Sequence, residues 1–226
     1  MKKFFKSLML ISVCLGLSAT VNAKTFRYAT TGDILGLDPH ANNEGPTNTM
    51  KGNIYGRMLH RKADLSLEPD LATKWEKLDA NTWRFSLRRG VKFHNGNDFN
   101  ADDVLFSYKR QTQEASDMSF ALATIKQINK VDDYTVDLIT KGPDPILLLN
   151  MPMFYIVDKE WIEANNAFEV VRASGSTNFA NVNTNGTGPF KVVEWIQDTR
   201  IVLEPFEGYW GKNQIQHNLT KAVFTP

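Results

Sequence analysis

Cysteine is nearly absent. The single copy among 226 residues, Cys14, lies in an apolar run near the start, and nothing from Lys24 onward carries a thiol. Disulfides and thiolate chemistry are therefore excluded from Lys24–Pro226, whose stability must come from a packed core. Histidine is scarce as well: His40, His60, His94 and His217 include no pair at i, i+4 spacing, so no metal site is indicated. His94 and Asp98 could meet across a turn, where a solvated pair is the ordinary outcome. The sequence has no G-x-S-x-G, no Ser-x-x-Lys and no P-loop, which removes the common signals of nucleophilic hydrolysis and nucleotide binding. Gly186-Thr187-Gly188 lacks a third glycine and runs into Pro189 and a strand pattern, so it reads as a tight strand entry. No spacing selects a carboxylate pair. With no catalytic residue, cofactor or metal indicated, the chain reads as a binding protein rather than an enzyme.

Basic charge is not in excess either. Three of the 26 Lys and Arg lie in the first 23 residues, leaving 23 against 25 Asp and Glu, and nucleic acid, which demands a basic face, is not an expected partner. Those first residues are a separate object. Lys2, Lys3 and Lys6 precede the apolar run Leu8–Leu17, and Val21-Asn22-Ala23 offers small residues for cleavage, so 1–23 reads as a secretory signal peptide. The run, at about ten residues, is short of the roughly twenty needed to cross hydrocarbon, and no membrane span is expected after cleavage.

What is present is strand and helix patterning. Trp83, Phe85 and Leu87 alternate with Arg84, Ser86 and Arg88, the period of a strand with one buried face. A turn, a short strand at Val91–Phe93, a second turn at Asn95-Gly96 and a helix from Ala101 to Gln111 follow, with Asn100 as N-cap and Val104, Leu105 and Tyr108 as the apolar side. Earlier, Thr25–Thr31 predicts a strand, and Pro46 opens a helix bearing Met50, Ile54, Met58 and Leu59. Later, Ile125–Thr140 predicts a hairpin turning at Asp132-Asp133, and Glu160–Ala164 a helix start after Asp158. Phe190–Ile196 and Arg200–Phe206 predict a second hairpin, Lys221–Thr225 a last strand, and polar 169–186 a long loop. Strands in hairpins outnumber long helices, which favours an α+β class.

Leu71-Ala72-x-x-Trp75-Glu76, Thr82-Trp83-x-Phe85-x-Leu87-Arg88-x-Gly90-Val91-Lys92-Phe93-His94-x-Gly96 and Phe99-x-Ala101-x-Asp103-Val104 together strongly resemble the signature of extracellular solute-binding proteins of family 5. Leu37-Asp38-Pro39-His40 is similar to the segment after that family's first strand, and Gly186-Thr187-Gly188-Pro189-Phe190 with Tyr209-Trp210 is similar to its later hairpin. The resemblance implies a partial periplasmic binding protein type II-like fold, an incomplete lobe I plus the family's inserted extra domain. Lobe I would take 24–44 and 185–226, and the extra domain 45–184. It further implies a periplasmic location, an inner-membrane ABC permease as partner and a small peptide as ligand, with a nickel complex, haem or a sugar as alternative solutes and a secreted hydrolase as the rival class. By position, Thr31, Gly32, Asp33, Ile34, Leu35 and Gly36 would be the lobe I contribution to the ligand, pairing by main chain with an extended peptide. Family members continue past the strand at Lys221–Thr225 into a second lobe, so the chain is expected to be truncated before lobe II and to lack tight ligand binding.

Overall fold

The computed structural model describes residues 24–172, 177–214 and 217–226; the leader expected over 1–23 and positions 173–176 of the expected long loop lie outside the described residues. In chain order the elements are β1 (Lys24–Ala29), α1 (Gly45–Ile54), β2 (Leu59–Arg61), β3 (Leu67–Pro69), β4 (Ala72–Lys77), β5 (Thr82–Leu87), α2 (Ala101–Gln111), β6 (Ile125–Asp132), β7 (Thr135–Thr140), α3 (Leu147–Asn150), α4 (Lys159–Ala164), α5 (Phe179–Val182), β8 (Phe190–Ile196), β9 (Arg200–Pro205) and β10 (Leu219–Thr225).

Two four-stranded sheets organise them. The first has the order β1-β10-β9-β8, with β1 parallel to β10 and the other pairs antiparallel. Because parallel neighbours cannot be joined by a tight turn, everything from α1 to β9 lies between them in sequence. The second sheet, β4-β5-β7-β6, is antiparallel throughout. At its centre β5 buries Phe85 and Leu87 and leaves Trp83 half-buried, while Arg84 forms a two-pronged ion pair with Asp137 directly opposite on β7, both bonds at 2.8 Å.

Each sheet has its own core. Phe85, Phe93, Phe99, Val104, Leu138 and Phe154 belong to the cluster on the second sheet, and Ile54, Tyr55, Phe106, Ile162, Leu203 and Phe224 to that on the first. Helix α2 serves both, with Val104 in one and Phe106 in the other. Its buried side is more polar than the apolar pattern suggests: Asp103, Ser107, Arg110 and Gln111 are buried, whereas Leu105 and Tyr108 are only partly so. Asn100 and Asp103 form the capping box that starts it.

Several boundaries differ from the sequence reading. Helix α1 begins one residue early, capped by the Glu44 carboxylate, and stops at Ile54, so Met58 and Leu59 are buried beyond it, Leu59 opening β2. Val91–Phe93 makes only a single bridge, Lys92 to Asp98, around a turn with Gly96 at φ 97°. Strand β4 has one large apolar side chain, the partly buried Trp75 between charged neighbours, too little alternation to read. Within the expected loop the chain makes the one-turn helix α5, closed by an Asn178–Asn181 capping box. Among the described residues no helix is long and apolar enough to cross a membrane.

Candidate functional site

Immediately after β1 the chain leaves the sheet through Thr31–Gly36, and two side chains and one backbone bond hold that segment in place. The Asp33 carboxylate accepts hydrogen bonds from the backbone N–H of Ile34 at 2.8 Å, from the Trp195 indole at 3.2 Å and from the N–H of Asp198 at 2.7 Å. One acid thus ties the segment to the β8–β9 turn, where Asp198 adopts a left-handed φ of 56°. The N–H of Leu35 donates to the Thr47 hydroxyl on α1 at 3.0 Å, and that of Leu37 to the Asn181 carbonyl on α5 at 2.9 Å.

Behind these anchors Ile34 and Gly36 are buried, Gly32 and Asp33 half-buried, and Thr31 and Leu35 exposed. A cleft of about 700 Å³ opens beside them. Ile34 and Leu35 line it, facing Trp161 and Phe179 on one side and Val193 and Trp195 on the other. Thr31, Gly32, Asp33 and Gly36 do not line it; Asp33 acts from behind through Trp195. Leu35, Phe179, Val182 and Val193 are all large apolar side chains left well exposed around it. Such a group of uncovered apolar side chains suits a binding surface. Among the described residues, the backbone carbonyls of Asp33, Ile34, Leu35 and Gly36 have no hydrogen-bond partner.

The sequence reading missed α5 and the edge strand β8 as walls of this cleft, because Phe179 and Val182 are isolated apolar residues in a polar stretch. It also placed His94 in a solvated turn beside Asp98. Asp98 instead pairs with Lys92 at 2.7 Å, and His94 reaches Gly188, its Nε2 lying 3.0 Å from the carbonyl, while Nδ1 lies 3.3 Å from the N–H of Gly186. Burial pulls the imidazole down to about 4, with Lys191 adding to the effect, so it is neutral and joins the Gly186–Gly188 loop to the second sheet's end.

That loop fits as a strand entry for a steric reason. A Cβ on Gly186 would meet the Ile54 carbonyl oxygen at 2.0 Å, and one on Gly188 would meet the Ile54 carbonyl carbon at 2.6 Å. Glycine is what lets the chain pass the end of α1.

Among the described residues one acidic group brings three carboxylates together, Asp103, Asp158 and Glu160. The oxygens of its two buried members are already engaged: Asp158 accepts from the side chains of Asn95, Asn97 and Asn185 and from the N–H of Trp161, and Asp103 accepts from the N–H groups of Asn100 and Lys159, while Glu160 is exposed. The group caps helices and offers few free lone pairs to a cation.

The family model described as bacterial extracellular solute-binding proteins, family 5 Middle, matches residues 66–225. The chain belongs to solute-binding family 5. Proteins of this family are components of transport systems rather than enzymes. The dipeptide-binding protein of Escherichia coli (strain K12) is 32% identical over 223 residues, covering 88% of this chain and 41% of the relative. Heme-binding protein A of Haemophilus influenzae is 32% identical over 209 residues, covering 82% and 37%. Among solved structures, the periplasmic binding protein DppA from Helicobacter pylori in complex with peptide STSA matches at TM-score 0.76 and 29% identity, over 90% of this chain and 42% of that one. OppA of Burkholderia pseudomallei matches at TM-score 0.77 and 20% identity, covering 91% and 42%, a likeness of fold. The chain therefore spans about two fifths of the length of the curated relatives it matches and carries a partial periplasmic binding protein type II fold.

Proposed function

We propose that this chain is part of the periplasmic substrate-binding component of an ABC transporter and that its solute is a short peptide. The observation that carries this reading is the Thr31–Gly36 segment: carbonyls of Asp33 to Gly36 without a partner among the described residues, anchored at both ends, beside an open cleft whose walls mix exposed apolar side chains with polar ones. Unused main-chain acceptors along an irregular segment just outside the sheet suit a ligand that pairs by backbone, with its side chains in the cleft. Relatives named for dipeptides and for di- and tripeptides support peptide over other solutes. In this reading 24–44 and 185–226 are the first lobe, 45–184 is the extra domain, 1–23 directs export, and an inner-membrane permease is the downstream partner. The protein binds and releases its ligand without chemistry.

The cleft among the described residues is open, so a peptide held there by main-chain pairing should bind weakly. Amide chemical shifts of the full chain titrated with a mixed di- and tripeptide library test the reading. Saturable shifts at 31–36 and along the cleft walls at 161, 179–184 and 192–197, with calorimetric affinity weaker than micromolar, are expected. No response at 31–36 overturns it. Haem is the competing solute, favoured by a relative of the same 32% identity that is named for it, and a hemin titration giving the tighter response selects it instead.

A further inference from the structure

A second concavity, of about 500 Å³, opens where the end of α1, the β2–β3 hairpin and the loops at 187–189 and 209–214 meet. It shares no lining residue with the cleft beside Leu35. Its wall holds two arginines, Arg57 and Arg88, from different parts of the chain. Arg84, Arg110, Arg172 and Arg200 each have a carboxylate oxygen within 4.0 Å, whereas among the described residues Arg57 and Arg88, like Arg27, Arg61 and Arg89, have none; of these only Arg57 and Arg88 line this cleft.

Both guanidinium groups are nonetheless fixed in direction. Arg88 donates from Nε to the Asp70 carbonyl at 2.9 Å and stacks on Trp210, its central carbon 3.8 Å from the ring centroid. This spends one donor and one face, and leaves the two terminal nitrogens without a partner among the described residues. Arg57 lies over the Tyr155 ring and has a single side-chain contact to His60, at 3.3 Å; its Nε is buried with no acceptor. The indole nitrogen of Trp210 is buried without an acceptor as well. The acids of the wall do not fill this need. Glu68 leans on His60 at 3.8 Å, and Asp70 spends one oxygen on the backbone N–H of Arg57, while burial pushes its carboxyl up to about 6 despite both arginines. The wall thus has more oriented donors than acceptors.

We propose that this cleft is a second binding site, taking a small oxyanion, a carboxylate or phosphate group, between Arg57 and Arg88. Pre-oriented guanidinium forks match such groups through paired, charge-assisted hydrogen bonds, and the stacking on Trp210 lowers the entropy lost on binding. The site goes beyond the peptide reading and stands or falls apart from it.

The test is a nitrogen-labelled full chain titrated at constant ionic strength with inorganic phosphate in one arm and acetate in the other. Saturable shifts of the Trp210 indole and Arg57 Nε resonances are expected, and the arm that saturates at lower concentration identifies the anion class. Arg88→Gln should weaken the response about tenfold, the usual scale for losing one charged hydrogen-bond pair, whereas Arg172→Gln leaves it unchanged. If either variant fails to fold, the titration of the native chain decides alone. Shifts that stay linear in both arms, that appear equally at Arg172 and Arg200, or that persist undiminished in a folded Arg88→Gln variant overturn the proposal.

Discussion

Arg110 and Asp38, 72 positions apart in sequence, form a two-pronged ion pair at 2.8 and 2.5 Å in which neither side chain touches solvent. The pair fastens α2 to the segment that follows the candidate ligand loop. Arg110 also donates to the Ala167 carbonyl and to His40 Nδ1, and His40 Nε2 in turn reaches the Tyr155 carbonyl at 3.0 Å. With Nδ1 accepting from a guanidinium the imidazole must be neutral, protonated on Nε2, and burial together with Arg110 pulls it down to about 3. Burial alone would push Asp38 up, yet Arg110 prevails and holds its carboxyl below the usual range.

Removing one partner strands the other charge in the interior. Asp38→Ala and Arg110→Ala should each lower unfolding free energy by about 3–5 kcal/mol, and the double variant by less than the sum of the two. Urea titrations of the three variants check this; additive losses would mean that the pair is not coupled.

The close passage of the 186–188 loop under α1 gives a second expectation. Gly186→Ala has to displace the Ile54 carbonyl or its own backbone, and should cost about 3 kcal/mol or more. Gly45→Ala, where an added Cβ meets nothing within 4 Å, should be neutral or slightly stabilising in the first turn of α1. Thermal unfolding of both separates a steric requirement from a general dislike of lost glycine.

His94 makes stability depend on pH. Its folded-state value, about 4, lies below the unfolded value of 6.5, so on acidification the unfolded chain takes up the proton first. The stabilisation is complete above 6.5 and falls away as pH drops toward 4, by about 1 kcal/mol per pH unit. His40 acts in the same sense, while Asp70 and Asp103, pushed up to about 6 and about 7, act in the opposite one. The His94 share is therefore read as a difference: between pH 6.5 and 4, His94→Gln should lose stability less steeply than the native chain. Parallel curves would assign the acid sensitivity elsewhere.

The elements with strong local signals were legible in sequence. Phe85 and Leu87 alternate as the central strand requires, Asn100 and Asp103 sit at capping-box spacing, and both long hairpins carry their turn residues. What was not legible depends on distant partners. Arg110 and Gln111 look like solvent-facing residues at the end of α2, and nothing nearby announces that Asp38 and the Met118 and Met153 carbonyls await them. The candidate cleft divides in the same way. Thr31–Gly36 is singled out by the resemblance, from its place just before Leu37-Asp38-Pro39-His40; of it only Ile34 and Leu35 line the cleft, and the other walls come from Phe179, Val193 and Trp195, which approach it only in the fold.

That dependence can be measured at Asp33. Its carboxylate joins the candidate ligand segment to Trp195 and to the left-handed turn residue Asp198, and it is only half-buried. Asp33→Ala removes three hydrogen bonds without opening a core cavity, so global stability should fall by only about 1–2 kcal/mol. The local effect should be larger in proportion. Once released from the hairpin, residues 31–36 and 195–199 should exchange their amide hydrogens at least tenfold faster, while β5 and β7, on the other sheet, keep their native protection. Any peptide response at 31–36 should weaken with them, since a mobile segment must be ordered again before it can pair. Unchanged exchange at 31–36 in the folded variant would mean that Thr47 and Asn181 alone hold the segment, and that Asp33 serves only the turn.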